Sequence, residues 1–120
     1  MKRNIVDQFY SVFPAFKTEW SRVQGCIVNK DWDHVEKTVS QKLAEGVSPT
    51  EIEQQINHCH MSMLLAALQC PNTASLRKKV AELFCAISSY RLKKQFVDEE
   101  FCFEMLEDAS EVTVFYYAKR

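Results

Sequence analysis

Two glycines among 120 residues, Gly25 and Gly46, narrow the folds open to this chain more than any other feature. Glycine supplies the positive φ of tight turns and lets backbone approach a phosphate closely. A turn-rich all-β fold or a Gly-rich nucleotide loop needs many more. With only three prolines as well, the chain points to helices joined by short loops. At 47% hydrophobic and 26% charged residues it has apolar surface for a core, which argues against wholesale disorder. The length suits a single domain over residues 1–120.

The sharpest local signal is VSPTEI, residues 47–52. Ser48 is placed as N-cap, Pro49 as first helical residue and Glu51 as the capping-box partner, with Val47 and Ile52 as a hydrophobic staple. The helix starting here is predicted to run to about Cys70, where Pro71 and Asn72 break it. Before it, Ile5, Phe9 and Phe13 make a helical stripe that Pro14 interrupts, and Phe16, Trp20, Val23 and Ile27 continue one to Gly25 and beyond. Asp31 is expected to cap a helix carrying Trp32, Val35, Val39 and Leu43 and stopping at Gly46. A further helix is predicted from about Thr73 to Lys94. The last stretch changes period. FCFEML and EVTVFYY alternate residue by residue around the polar connector EDAS, which predicts a β-hairpin; two short helices capped by Asp98 and Asp108 are the competing reading. The expected fold is therefore mainly α, a single-domain bundle of four or five helices with a C-terminal β-hairpin, or all-α if the tail is helical.

The stretch INHCHMSMLL gathers His58, Cys59, His60, Met61 and Met63, all potential ligands of a soft metal. Placed on the predicted helix, Ile52, Ile56, Cys59, Met63, Ala66 and Cys70 form one stripe, and His58 and His60 fall on different sides. Two histidines that share a metal on a helix are spaced i, i+4, so no metal or other cofactor is expected. Met61, Leu64, Leu65 and Leu68 form a second apolar stripe opposite the first. A helix apolar on two sides is either central to its domain or caught between its core and a partner. These four residues, with Phe115, Tyr116 and Tyr117 of the aromatic tail, are the candidate partner-binding residues.

Charge alternates along the chain. Residues 73–97 hold six basic groups and one acidic, and residues 98–120 hold two basic and seven acidic. Neighbouring elements that neutralise each other are the expected reading. A winged-helix-like nucleic-acid regulator using Arg77, Lys78, Lys79, Arg91, Lys93 and Lys94 is the alternative. Against it, those residues spread around their helix, and the following hairpin is acidic, which phosphate repels. The chain has no G-x-G-x-x-G, P-loop, G-x-S-x-G or H-E-x-x-H motif, and no catalytic residue is assigned.

Five cysteines without a C-x-x-C pair, no signal-peptide pattern and no apolar run of about 18 residues argue for a reduced, cytoplasmic protein off the membrane. QKLAEGVSPTEI is similar to one unit of helical-hairpin repeats, and NKDWDHVEK to the second-helix start of small α-helical secretion chaperones. Neither match is long enough to assign a family. The expectation is a non-enzymatic protein-binding or regulatory module, such as a chaperone, anti-activator or immunity-type inhibitor. Its partner is another protein or a second copy of itself in a dimer.

Overall fold

The VSPTEI signal forms as its residues require. In the computed structural model, which describes residues 18–120, the Ser48 hydroxyl accepts the Glu51 amide hydrogen at 3.2 Å and Pro49 opens the helix. The elements in chain order are β1 (Trp20–Val23), β2 (Cys26–Asn29), α1 (Val35–Ala44), α2 (Pro49–Ile56), β3 (His58–His60), α3 (Met61–Ala67), α4 (Ala74–Gln95), β4 (Phe101–Glu107) and β5 (Val112–Ala118). The stripe of Ile5, Phe9 and Phe13 and the Pro14 break lie outside the described residues.

This architecture overturns the expected helical bundle and the all-α alternative. Four helices make up 46% of the described residues, and 24% lie in two sheets of two and three strands, so the fold is a mix of α and β. Of three local departures, the first two produce the difference. Trp20 to Asn29 form an antiparallel hairpin instead of a helix. Its two-residue turn, Gln24–Gly25, has both φ angles positive, at 48° and 85°, the geometry that matches the twist of paired strands. The helix expected over 48–70 stops at Ile56, and His58–His60 leave it to pair with β5. The third departure is the start of α1, which begins at Val35 behind His34 in a left-handed conformation, so Asp31 is not its cap. The C-terminal hairpin is present, with Phe101 opposite Ala118 and Glu107 opposite Val112.

The three-stranded sheet runs in the order β3–β5–β4, all antiparallel. Period two along β5 sends Val112, Val114, Tyr116 and Ala118 into a core shared with Met61, Leu64 and Leu65 of α3 and Val80, Phe84 and Ile87 of α4. A smaller core gathers Cys26, Val28, Val35, Val39, Ile52 and Ile56 between β2, α1 and α2. Strand β2 serves both, because Ile27 points into the larger core while its neighbours Cys26 and Val28 point into the smaller one.

Candidate functional site

Sheet edges carry unpaired N–H and C=O groups that must be bonded or left to solvent. Beyond β3, residues 116–118 of β5 have an edge facing β2, and the two are not hydrogen-bonded as strands. They are joined by two side chains of the α2 region. The buried Glu53 carboxylate accepts the amide hydrogens of Ile27 at 2.6 Å and Ala118 at 2.8 Å, and a hydrogen bond from each terminal NH2 group of the Arg120 guanidinium at 2.8 Å. Asn57 donates to the Ile27 carbonyl at 2.8 Å and accepts from the Asn29 amide at 2.9 Å, while its own carbonyl accepts the Tyr116 amide at 3.1 Å. A carboxylate with four donors around it and a fully used amide take the place of a connecting strand. The seam is closed.

The outer edge of β4 differs. Backbone bonds at either end of the hairpin, Asp108 to Glu111 and Lys119 to Glu100, place the even-numbered residues of β4 in the hydrogen-bonded pairs with β5. Alternation then turns the backbone groups of Phe101, Phe103, Met105 and Glu107 outward, and among the described residues none receives a partner. The side chains also leave the core along this strand. Phe103 stacks on Tyr116 with ring centroids 5.0 Å apart. Met105, two residues on, is 48% exposed, and Leu106 on the opposite face is 66% exposed. Glu104 and Glu107 flank this apolar pair, both exposed.

The face of the sheet turned away from the core carries His58 and His60 on β3, Thr113, Phe115 and Tyr117 on β5, and Cys102, Glu104 and Leu106 on β4. On a strand, positions i and i+2 share a face, so the two histidines lie together with ring centroids 5.3 Å apart, contrary to their placement on a helix. His58 Nδ1 meets the Gln55 carbonyl at 2.8 Å, His60 Nδ1 meets the Thr113 hydroxyl at 3.0 Å, and the Trp32 ring packs against His58. Among the described residues no group of three or more His, Cys, Asp or Glu is placed to hold a metal ion. Cys59 points the other way. Burial, aided by the Glu111 charge, pushes its thiol up to about 11, which keeps it protonated at neutral pH. Burial alone would raise the Glu111 carboxyl, but hydrogen bonds from the Ser62 hydroxyl, the Ser62 amide and the Val112 amide, with His60 nearby, hold it below its usual range. Desolvation, with Glu104 and Cys102 alongside, raises the Tyr117 phenol.

The candidate residues read from the sequence are divided by the fold. Met61, Leu64 and Leu65 are buried in the larger core, and Leu68 is half-buried against it. Met63, at 67%, and Ala66 are left exposed on that helix, although the helical projection had assigned both to the core. The first stripe came from continuing α2 through His58–His60; once those residues form a strand, α3 restarts on a different heading and buries the second stripe. Tyr116 is buried and its hydroxyl accepts the Trp20 indole hydrogen at 2.9 Å, whereas Phe115 and Tyr117 are half-buried on the outer face. Of the basic set, Arg77 is buried and donates to Asn72 and to the Ala109 carbonyl, tying the β4–β5 turn to α4. Lys78 lies 3.8 Å from Glu107, and the Arg91 guanidinium sits 4.9 Å from the Trp20 ring. Lys79, Lys93 and Lys94 are exposed, the last two beside Ala86, Ser89 and Tyr90 in an open depression. The six basic residues therefore do not form one surface. Missed altogether were Met105 and Leu106 as exposed residues. Strict alternation through FCFEMLE, which puts adjacent Met105 and Leu106 on opposite faces of one strand, was the signal for at least one of them.

The chain matches no protein-family model, no curated protein and no solved structure. No helix among the described residues is long and apolar enough to cross a membrane.

Proposed function

We propose that this chain is a protein-binding module, regulatory or chaperoning in role, that takes an extended segment of a partner onto the outer edge of β4. The observation that carries this reading is a strand edge whose outward backbone groups meet no partner among the described residues, with exposed Met105 and Leu106 on its two sides. Main-chain hydrogen bonds to such an edge supply affinity, and alternate side chains supply specificity. Five unpaired cysteines support a reducing compartment, the cytoplasm, as its place of work. Selection from a display library of random peptides tests the reading, with Met105→Pro as the control. The Met105 N–H points outward, so proline there removes nothing from the hairpin and blocks only an added strand. Selected peptides are expected to protect the Phe103 and Met105 amides from hydrogen exchange and to lose binding to Met105→Pro. A library that yields no binder, or binders indifferent to that substitution, overturns the reading.

A further inference from the structure

The outer edge of β4 also specifies the chemistry of what would lie on it. Resting on the edge-binding reading above, we infer that the partner segment is basic, with two cationic residues flanking two apolar ones. Residues 98–118 contain seven acidic residues and no lysine or arginine. On β4 itself the order is Glu104, Met105, Leu106, Glu107, all four exposed. Period two puts Glu104 and Leu106 on the outer face and Met105 and Glu107 on the core-side face, where the strand has run past its cover. An added strand facing these four residues needs, in turn, a cation, an apolar residue, an apolar residue and a cation. That pattern reads the same in both directions, so it holds for a parallel or an antiparallel addition.

The charges already present leave both carboxylates available. Glu104 makes no ion pair among the described residues. Glu107 has Lys78 at 3.8 Å, with the two side chains 47% and 63% exposed. An exposed pair at that distance is weak and readily exchanged. A second copy of this chain is the less suitable occupant. Pairing β4 with β4 would bring Glu104, Glu107 and Asp108 of both copies to one ladder with no cation between them, and like charges facing each other across strands are destabilising.

Three acetylated and amidated peptides test the inference: one with Lys-Val-Val-Lys at its centre, and its Gln-Val-Val-Gln and Glu-Val-Val-Glu counterparts. Fluorescence anisotropy at low and high salt gives affinity, and amide exchange at Phe103 and Met105 gives location. The lysine peptide is expected to bind about threefold to tenfold more tightly than the glutamine peptide at low salt, the range for two exposed ion pairs. That preference should shrink at high salt and vanish in the Glu104→Gln/Glu107→Gln double variant, while binding itself is lost in Met105→Pro. Equal binding of all three peptides at β4 overturns the charge inference and leaves the edge reading standing. Lysine-peptide binding that survives Met105→Pro overturns the edge reading instead. Concentration-dependent protection of the Phe103 and Met105 amides without any peptide would make a second copy the occupant and overturn the basic-partner inference.

Discussion

Two strand edges in this molecule solve the same problem in opposite ways. Where β2 faces β5, the Ile27 amide and carbonyl and the Asn29, Tyr116 and Ala118 amides meet a side chain of Glu53 or Asn57, or the Asn57 carbonyl, and the Ala118 carbonyl meets Arg120. Along the outer edge of β4 the same kinds of group meet nothing among the described residues, and the side chains beside them are apolar and acidic. A buried unsatisfied backbone group costs about 1–3 kcal/mol, whereas one in solvent costs almost nothing. The inner seam must therefore be closed for the fold to exist. The outer edge can stay open without that cost.

The largest expected effect breaks the closed seam. All four groups around the Glu53 carboxylate are donors. Glu53→Gln would turn an NH2 toward at least one of them and leave the Arg120 charge without its counter-ion. Removing one partner of such a pair costs about 3–5 kcal/mol, so the urea midpoint should fall steeply. Glu104→Gln, the same chemical change on the open edge, should shift stability by no more than about 0.5 kcal/mol. Equal effects at the two positions would mean that the seam does not hold the two sheets together.

A leucine pair sharpens the contrast between inside and outside. Leu65 is 1% exposed in the larger core, so Leu65→Ala should cost about 2–5 kcal/mol through lost burial and the cavity left behind. Leu106→Ala should leave stability within about 0.5 kcal/mol and weaken only partner binding. A mild Leu65→Ala would return that residue to the list of candidate contacts.

These positions also show what was legible in the residues and what was not. The cap at Ser48, the start of α4 behind Thr73 and the C-terminal hairpin were readable because each is decided by residues near in sequence. In the hairpin, strands and turn lie within 18 residues of one another, Phe101 to Ala118. The strand His58–His60 was not readable, because it is a strand only by virtue of β5, more than fifty positions away: Cys59 faces Val114. Met63 continues by coincidence the helical spacing that Ile52 and Ile56 set in α2, so a continuous helix fitted the pattern. Trp20, Val23 and Ile27 misled in the same way, since three residues spaced for a helix also occur in a hairpin. Of the candidate partner-binding residues in the tail, alternation buries Tyr116 and leaves its neighbours Phe115 and Tyr117 half-buried on the outer face. Glu53 gave no sign of its role, because a glutamate in a helix is ordinarily solvated and only the approach of β2 and β5 makes it a bridge.

A smaller effect tests the core face of the sheet through pH. Burial pushes the Cys59 and Cys85 thiols up to about 11 from 9.0. Between those values the unfolded chain releases protons that the folded chain retains. The thiols' contribution to stability is therefore fully present below pH 9 and is lost as pH rises toward 11. Thermal unfolding followed by circular dichroism should show a falling midpoint across that window, and Cys59→Ala should flatten the fall even if it lowers the midpoint everywhere. A midpoint independent of alkaline pH would mean that the Cys59 side of β3 is open to water.

The smallest effect concerns two helix ends that use one cap with different residues. After α1, Gly46 at φ 85° lets its own amide reach the Leu43 carbonyl and the Val47 amide reach Lys42. After α3, Gln69 at φ 57° lets its own amide reach Ala66 and the Cys70 amide reach Leu65. The bonding is the same, but an L-residue with a side chain is strained in the left-handed region and glycine is not. Gln69→Gly should therefore raise stability by about 0.5–1 kcal/mol, after the extra freedom glycine gives the unfolded chain is subtracted. Gly46→Ala should lower it by about 1 kcal/mol, since nothing lies within 4 Å of an added Cβ and backbone strain is the only cost. Urea titrations with unchanged slopes would report both. Opposite signs at the two ends would confirm that the caps are equivalent. A loss at both would show that the Gln69 side chain makes a contribution of its own where α3 gives way to the loop before α4.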